Sequence, residues 1–522
     1  MSIDRKRFDA LVVGLGAAGS WVAKTLTAKG LRVGAIDAGR VLGAADRPTH
    51  APPFAPWQRL LDRRHPVQSR SVSYHPRLAH LYVDDRLNPY ADGGGDRFLW
   101  IRGRQVGGRL HTWARMALRL SDRDFDRAAE DGHGIPWPIR LRDLAPYYEA
   151  VERFHGMRGA CDGITELPDS VIADVQELPP RVALFRERVL ARWPERKVIA
   201  PRVLARDDDA VPKPLAAAQA TGLLELIPDA SVARVLLDEA GERAIGVECA
   251  RDGGRRDVIE SDLVFLCASS IESVRILLNS RGKGHENGIG NRHDQLGRHL
   301  VDHNFVVAAG STADDYRGLA GPERTPDALD LGDKLDFYVP DFSDTLADRS
   351  FQRGFGLQGM LSKHSWGMAA FGEMLPHRDN RVTLSPRLDS RGIPIAAIAI
   401  RRRTNEHAMI AAQKAQIEAV AAATGLRIEM PMPRLLRGLL WKMVGPEVGV
   451  LHLGLAIHEC GGARMGDDPT LSVLDPFNRV WDLPNLLVTD GACFPGTGCQ
   501  NPTLTIMALS ARAAEMAVAG RG

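Results

Sequence analysis

The amino-acid sequence predicts an α/β protein in which a Rossmann-like domain with a parallel sheet is interleaved with a sheet-based α+β domain. The chain has 522 residues, more than the roughly 250–300 over which a single core grows. Its beginning reads as an apolar strand, a glycine-rich turn, a helix and a second apolar strand. Residues 310–445 change to a polar alternation that is typical of a separate sheet.

The beginning of the chain predicts the parallel sheet. Residues 8–13 and 31–36 are short apolar runs typical of buried strands. Between them, residues 17–29 have apolar side chains at helical spacing, and Gly30 can end that helix. A strand, a helix and a second strand in this order form a βαβ unit, whose strands lie parallel in a sheet covered on both faces.

Later segments extend this pattern. We predict strands at 223–227, 231–237, 244–250 and 263–267, a helix containing Ile271, Val274 and Leu277, and a final helix over Thr503–Val518. Residues 40–100 are predicted to be mostly loop, and the three consecutive glycines within Ala91–Asp96 to be a mobile turn.

Composition narrows the class of partner and compartment. The 67 basic and 65 acidic residues leave a net charge of +2, which argues against nucleic acid or an anionic membrane as the main partner. The six cysteines form no CxxC pair or zinc-like set. No apolar stretch reaches the roughly 18–20 residues of a membrane helix. We expect a soluble protein of the reducing cytoplasm that can form homo-oligomers.

A nucleotide fingerprint follows the first strand. Gly14, Gly16 and Gly19 form G-x-G-x-x-G, with Ala17 and Ala18 inside it, and the acid Asp37, followed by Ala38, ends the second strand. The glycines allow a tight turn, close approach to a pyrophosphate and close helix–strand packing. Asp37 can accept hydrogen bonds from both hydroxyls of an adenosine ribose. FAD and NAD both fit this pattern.

Two segments near the end of the chain contain the residues that indicate a chemical function. The first runs from His458 to Gly466, and the second from Asp490-Gly491 to Asn501-Pro502-Thr503. With the segment over residues 100–113, they resemble the glucose–methanol–choline (GMC) oxidoreductase family, and the middle of the chain matches it only loosely. The resemblance implies FAD as cofactor and His458 as catalytic base. It implies Asn501 as the second catalytic residue and Asp490-Gly491 as a further FAD contact.

Elementary chemistry supports these roles. Oxidation of an alcohol removes a hydroxyl proton and transfers a hydride from the carbon to flavin N5. A neutral imidazole suits the proton transfer, and an Asn amide can donate to the developing alkoxide. The helix beginning at Pro502 would direct its positive end at the reduced flavin. A structural histidine at 458, and a simple helix cap at 501, are the alternatives.

Other cofactor contacts are implied by the same resemblance. The stretch from Arg104 to Trp113 resembles the family's loop over the flavin, where Gly107 and Gly108 let the backbone lie against the ring. A histidine directly before the tryptophan can carry a covalent flavin link in some relatives. Here Thr112 precedes Trp113 and His111 stands one place earlier, which predicts non-covalent FAD. Val232 matches an adenine contact, and Ala268 follows the strand over 263–267.

The domain assignment follows from these motifs. We assign residues 1–120, 220–310 and 450–522 to a discontinuous FAD-binding domain, and residues 121–219 and 311–449 to a substrate or cap domain. Asn501 with Cys499-Gln500 before it resembles sugar-oxidising branches of the family, so we expect a sugar or glycoside substrate oxidised at a secondary hydroxyl.

Several alternatives stay open. Oxygen, an artificial acceptor or a protein can take the electrons. An FAD-containing lyase, a flavoprotein that serves as a binding or assembly subunit of a multi-component dehydrogenase, and an NAD-dependent dehydrogenase are the competing functions.

Overall fold

The computed structural model describes residues 6–46, 61–71, 74–207, 210–321, 335–340, 342, 350–429 and 448–520. Its α-helices span Ala17–Ala28, Asp122–Asp131, Leu141–His155, Pro180–Arg192, Lys213–Ala220, Ser270–Asn279, Asp314–Arg317, Thr404–Thr424 and Thr503–Ala519. Together with the sheets described below, they confirm the α/β class. Within the described residues, no helix combines the length and hydropathy of a membrane span.

A six-stranded sheet, here the central sheet, carries the beginning and the end of the chain. Five parallel strands are followed at one edge by a short antiparallel one. In spatial order the strands are Leu224–Ile227, Val33–Ile36, Ala10–Val13, Val264–Leu266, Leu483–Val488 and Arg479–Val480. The first and last helices, Ala17–Ala28 and Thr503–Ala519, pack against each other beside this sheet. The predicted βαβ unit is therefore present.

The predicted first strand is divided between two sheets. Lys6–Phe8 pairs in parallel with Arg256–Ser261, while Ala10–Val13 enters the central sheet. The break falls at Asp9, whose carboxylate accepts from the backbone N–H of Arg32. A single strand over 8–13 was therefore wrong at its first residues. The second sheet has four strands, which are Lys6–Phe8, Arg256–Ser261, Ala244–Ala250 and Ser231–Leu237.

A third, antiparallel sheet, here the cap sheet, is built from the middle of the chain. Its strands are Phe337–Val339, Phe355–Leu361, Ser365–Glu373, His303–Ser311, Arg427–Ile428 and Val448–Val450. The helices Pro180–Arg192 and Thr404–Thr424 pack with it around a separate apolar core, which includes Phe185, Phe337 and Phe355. The domain boundaries given above stay a prediction.

The glycine run at 91–96 is a strand and not a mobile turn. Ala91–Gly95 pairs in parallel with Pro394–Ile400, which is also antiparallel to Arg381–Leu388. A Cβ on Gly95 would lie 2.2 Å from the carbonyl oxygen of Ile400. The glycines therefore permit a close approach between two backbones. The remaining small sheet joins Ile172–Val175, Met157–Gly159 and Val203–Leu204.

Candidate active site

A deep cleft opens where the parallel strands of the central sheet end. Gly14, Asp37, Ala268 and Asp490 line it, and each follows the carboxyl end of one of these strands by one or two residues. In open α/β sheets, ligands bind at this edge. The cleft continues from Asp37 to His458 and to one face of the cap sheet.

Most of the residues predicted from the sequence line this one cleft. They are Gly14, Gly16, Ala17, Ala18, Asp37, Ala38, Arg104, Gly108, Thr112, Trp113, Val232, Ala268, His458, Asp490, Gly491, Asn501, Pro502 and Thr503. Gly19, Gly107 and His111 are not among the lining residues. Residues from the first 40 positions and the last 65 thus meet at a single surface, as the motifs require.

The glycines of the fingerprint are needed for the turn itself. Gly14 has φ +90°, and a Cβ there would lie 2.5 Å from the carbonyl oxygen of Cys267. A Cβ on Gly19 would lie 1.8 Å from the carbonyl oxygen of Gly14. Gly19 therefore acts by letting the first helix approach the turn, although its own atoms stay outside the cleft wall.

The first helix presents its N-terminus to the cleft. It begins at Ala17, after the N-cap residue Gly16, and no side chain of the described residues caps it. Its first-turn N–H groups lack partners within the helix and carry positive charge density. An uncapped N-terminus in a glycine cradle fits the pyrophosphate of a dinucleotide.

Asp37 is a buried carboxylate held by the backbone. Its Oδ2 accepts from the N–H of Leu15 at 2.9 Å, and its Oδ1 accepts from the N–H of Gly39 at 2.9 Å. Burial raises the pKa of Asp37 to about 6, against the opposing effect of these bonds and of Arg104. Each oxygen keeps acceptor capacity toward the cleft. This arrangement fits a ribose diol, which would donate two hydrogen bonds.

Asp490 is tied into the protein more tightly than the sequence indicated. Ser273 Oγ donates to its Oδ2 at 2.5 Å, and the N–H of Ala492 donates to its Oδ1 at 2.9 Å. The same Ser273 hydroxyl accepts from the N–H of Ala268 at 3.1 Å. Asp490 therefore holds together the ends of two neighbouring strands as well as lining the cleft.

An ion pair joins the loop over residues 104–113 to the segment of His458. Arg109 Nη1 lies 2.7 Å from Glu459 Oε1, and Arg109 Nη2 donates to Ser269 Oγ at 2.8 Å. Glu459 is buried. Because a buried carboxylate needs a partner, this pair fixes the position of the residue next to His458.

His111 does not line the cleft. Its Nε2 lies 2.8 Å from the carbonyl oxygen of Val106, and a Cβ on Gly107 would lie 2.3 Å from that same nitrogen. Gly107, at φ +96°, makes room for the imidazole. The ring is thus occupied by a contact within its own loop.

His458 and Asn501 meet in the inner part of the cleft. Asn501 Nδ2 lies 3.2 Å from His458 Nε2, and both residues line the cleft. Burial lowers the pKa of His458 well below its usual value, and the nearby His303 and Arg109 lower it further. His458 is therefore a neutral imidazole that can accept a proton.

Asn501 does not cap the last helix. That helix begins at Thr503 with Pro502 as its N-cap residue, which moves the proline one place out from the N1 position that the sequence predicted. The Asn501 side chain instead accepts from Gln358 Nε2 at 2.5 Å through its Oδ1. Its Nδ2 is thereby directed at His458.

Three further cleft residues, and one residue behind His458 that does not line the cleft, escaped the sequence reasoning. Gln358, Phe305 and Phe371 come from the cap sheet, and His303, at the start of one of its strands, contacts His458. The Phe305 and Phe371 rings stack with centroids 4.7 Å apart, and Phe371 lies 5.3 Å from the His458 ring. These residues carry no motif. Only strand alternation and pairing bring them together.

A metal site is absent from the part of the chain that the structure describes, because no group of three His, Cys, Asp or Glu residues there could hold a metal ion. The observations that bear on a cofactor are instead the glycine cradle, the uncapped helix N-terminus and the buried Asp37. Together they fit FAD.

Comparisons with known proteins agree with this arrangement. Relatives that match 99% of the chain include 2-methyl-1,2-propanediol dehydrogenase of Mycolicibacterium austroafricanum, which is 26% identical over 576 residues and is covered over 96% of its own length. They also include paromamine 6'-oxidase of Streptomyces fradiae, which is 27% identical over 567 residues and is covered over 92% of its own length. The crystal structure of a formate oxidase superposes with a TM-score of 0.66 at 16% identity, over 99% of both chains. That likeness shows the fold.

Family models settle the membership. The N-terminal GMC oxidoreductase model matches residues 8–305, and the C-terminal model matches residues 376–510. The two matches together cover most of the chain and include both ends of the cleft. The protein is an enzyme of the GMC oxidoreductase family, and its cofactor is FAD.

Proposed function

We propose that this enzyme oxidises a hydroxyl group of a sugar or glycoside to the carbonyl, with His458 and Asn501 as the catalytic residues. The observation that carries the proposal is the 3.2 Å contact between His458 Nε2 and Asn501 Nδ2 inside the cleft. One atom can accept a proton and the other can donate a hydrogen bond. A substrate oxygen that contacts both replaces their direct contact.

His458 and Asn501 have different roles at the substrate oxygen. Neutral His458 accepts the hydroxyl proton at Nε2, and Asn501 Nδ2 donates to the oxygen as negative charge grows on it. Gln358 holds the Asn501 amide in the donating orientation through the bond to Oδ1. Burial of the site strengthens these interactions because water is excluded. Bound FAD supplies the hydride acceptor.

The substrate class is supported by the walls of the cleft and by the relatives. The stacked Phe305 and Phe371 form an apolar surface beside the polar atoms of Gln358, His458 and Asn501. An apolar wall with few polar groups is typical of small-molecule sites, and it suits a sugar ring, which has apolar C–H faces and polar edges. Paromamine 6'-oxidase is named for the oxidation of paromamine, and 2-methyl-1,2-propanediol dehydrogenase is named for the dehydrogenation of a diol.

Anaerobic flavin reduction tests the proposal. The purified holoenzyme is mixed with a panel that contains free sugars, methyl glycosides, amino sugars and short diols, and bleaching of the flavin is followed. We expect a sugar or glycoside to be the best reductant. Reduction by diols alone would contradict the substrate class, and a panel without any reductant would favour a lyase or a binding role.

A matched pair of substrates locates the hydroxyl. Methyl glucoside and its 6-deoxy form differ only at the primary carbon. Reduction by both would support the secondary hydroxyl, whereas reduction by the first alone would assign the primary one. Oxygen, an artificial quinone and a cytochrome, added to the reduced enzyme in turn, would then identify the class of electron acceptor.

The flavin is expected to be held without a covalent bond. His111 Nε2 already contacts the carbonyl oxygen of Val106, and Thr112 stands where linked relatives have histidine. Acid precipitation of the holoenzyme should therefore release all flavin into the supernatant, as measured by its absorbance. Yellow colour that stays with the washed pellet would contradict this prediction.

A further inference from the structure

A buried imidazole from the cap sheet contacts His458 on the Nδ1 side of its ring. His303 begins the cap-sheet strand His303–Ser311 and has no exposed surface. Its Nδ1 lies 2.7 Å from His458 Nδ1, and the two rings are nearly perpendicular with centroids 4.9 Å apart. A contact of this length between two ring nitrogens is a hydrogen bond, so one nitrogen carries the proton and the other carries a lone pair.

The second nitrogen of His303 decides which one donates. His303 Nε2 lies 2.8 Å from the carbonyl oxygen of Gly498. A carbonyl oxygen can only accept, so His303 Nε2 carries a proton. Burial disfavours a charge on His303 and lowers its pKa. A neutral imidazole that is protonated at Nε2 has its lone pair at Nδ1.

The direction of the remaining bonds follows. His458 must donate from Nδ1 to His303, which leaves the His458 lone pair at Nε2, the atom nearest to Asn501. Asn501 Nδ2 donates to that lone pair, and Gln358 donates to Asn501. Every donor in this chain has one acceptor, and the series ends at the Gly498 carbonyl, which cannot pass a proton on.

The charged groups around His303 and His458 do not change this assignment of protons to ring nitrogens. Glu373 pairs with His303 across two cap-sheet strands, but its carboxylate accepts from Arg353 Nη1 at 2.5 Å. Arg109 faces His458 and is paired with Glu459. Each of these charges thus has an opposite partner. Phe371 covers both rings with an apolar surface, at 6.0 Å from His303 and 5.3 Å from His458.

We infer that His303 is a positioning residue, which fixes His458 in the tautomer with its proton on Nδ1 and its lone pair on Nε2. The inference rests on the proposed function, because the tautomer matters only if His458 accepts the substrate proton. Nε2 is the nitrogen that lies beside Asn501. A partner that fixes the tautomer of a catalytic histidine can have a large effect on rate.

Nitrogen NMR of the holoenzyme tests the inference without any substrate. The enzyme is labelled with 15N-histidine, and the His458 signals are assigned as those lost in His458→Ala. We expect a protonated Nδ1 and an unprotonated Nε2 in the wild type. In His303→Phe, which removes the acceptor, we expect the proton to move at least partly to Nε2. A wild-type His458 with its proton on Nε2 would overturn the inference.

Rates in matched variants add a second readout. His303→Phe should slow flavin reduction by about 10- to 100-fold, a typical size for the loss of a group that orients an active-site histidine. His303→Asn retains an oxygen acceptor on Cγ, where the imidazole has Nδ1, and should recover much of the rate. His155→Phe is the control, because His155 is also buried but bonds to Trp21 elsewhere in the fold. Equal rates in the Phe and Asn variants would contradict a positioning role.

The outcomes separate this inference from the proposed function. The expected tautomer in an enzyme that no sugar or diol reduces would leave the effect of His303 on the tautomer standing and refute the substrate oxidation. A different tautomer in an enzyme that sugars reduce would refute the effect of His303 on the tautomer and leave the substrate oxidation standing. If His303→Phe fails to fold, the wild-type spectrum and His303→Asn still decide the question.

Discussion

Replacing His458 with alanine is expected to lower the rate of flavin reduction by about 10²–10⁴-fold, the usual contribution of a general base. The variant should still bind FAD, because the glycine cradle, the helix N-terminus and Asp37 lie at the other end of the cleft. Loss of the imidazole removes the acceptor at Nε2 and leaves the Asn501 amide with only a substrate oxygen to bind. Stopped-flow absorbance under anaerobic conditions measures the rate.

The control for this variant is His452→Ala. His452 lies six residues before His458, and its side chain is exposed. We expect the control to reduce its flavin at the wild-type rate, with an unchanged flavin-to-protein ratio. Near-normal reduction in His458→Ala would contradict the base assignment, whereas loss of FAD from that variant would indicate a structural role for the imidazole.

Gly19→Ala is expected to abolish FAD binding and to destabilise the fold. The new Cβ would lie 1.8 Å from the Gly14 carbonyl oxygen and 3.1 Å from Val12 Cγ1, so the helix and the turn must separate. Overpacking of this kind costs about 1–3 kcal/mol or more, and it falls on the turn that we expect to hold the pyrophosphate. Thermal unfolding and the flavin-to-protein ratio of the purified variant measure the two effects.

Gly318→Ala serves as the matched control. Gly318 ends a short helix at φ −79°, and nothing lies within 4 Å of the position of its Cβ. This substitution should leave the flavin content and the melting temperature unchanged. If the Gly19→Ala protein keeps its flavin and has the same melting temperature as the wild type, the turn can relax and the prediction is wrong.

The predictable parts of the fold are those set by local patterns. The βαβ unit follows from apolar runs around a glycine turn, and the final helix ends at Ala519, one residue beyond its predicted end. The strand Ala91–Gly95 could not be predicted in this way, because its glycines are explained by Pro394–Ile400, about 300 residues further along the chain. A local pattern contains no information about such a partner.

The active site likewise contains residues that a local pattern predicts and residues that only distant pairing explains. His458 and Asn501 stand in segments with a family pattern, and the structure brings them within 3.2 Å of each other. His303 and Gln358 stand in ordinary strands, and their importance arises from the pairing of the cap sheet. One of 16 histidines cannot be singled out without knowledge of its neighbours. The helix Thr404–Thr424 was also missed, because its many alanines give it little amphipathic contrast.

The end of the hydrogen-bond series at Gly498 has a consequence for where protons travel. A proton taken up by His458 can be shared with His303, but the next group is a backbone carbonyl, which cannot relay it. The interior of the cap sheet is thus closed to proton transport from this side. A proton accepted at His458 Nε2 is therefore expected to leave again from the Nε2 side of the imidazole, which faces Asn501 in the cleft.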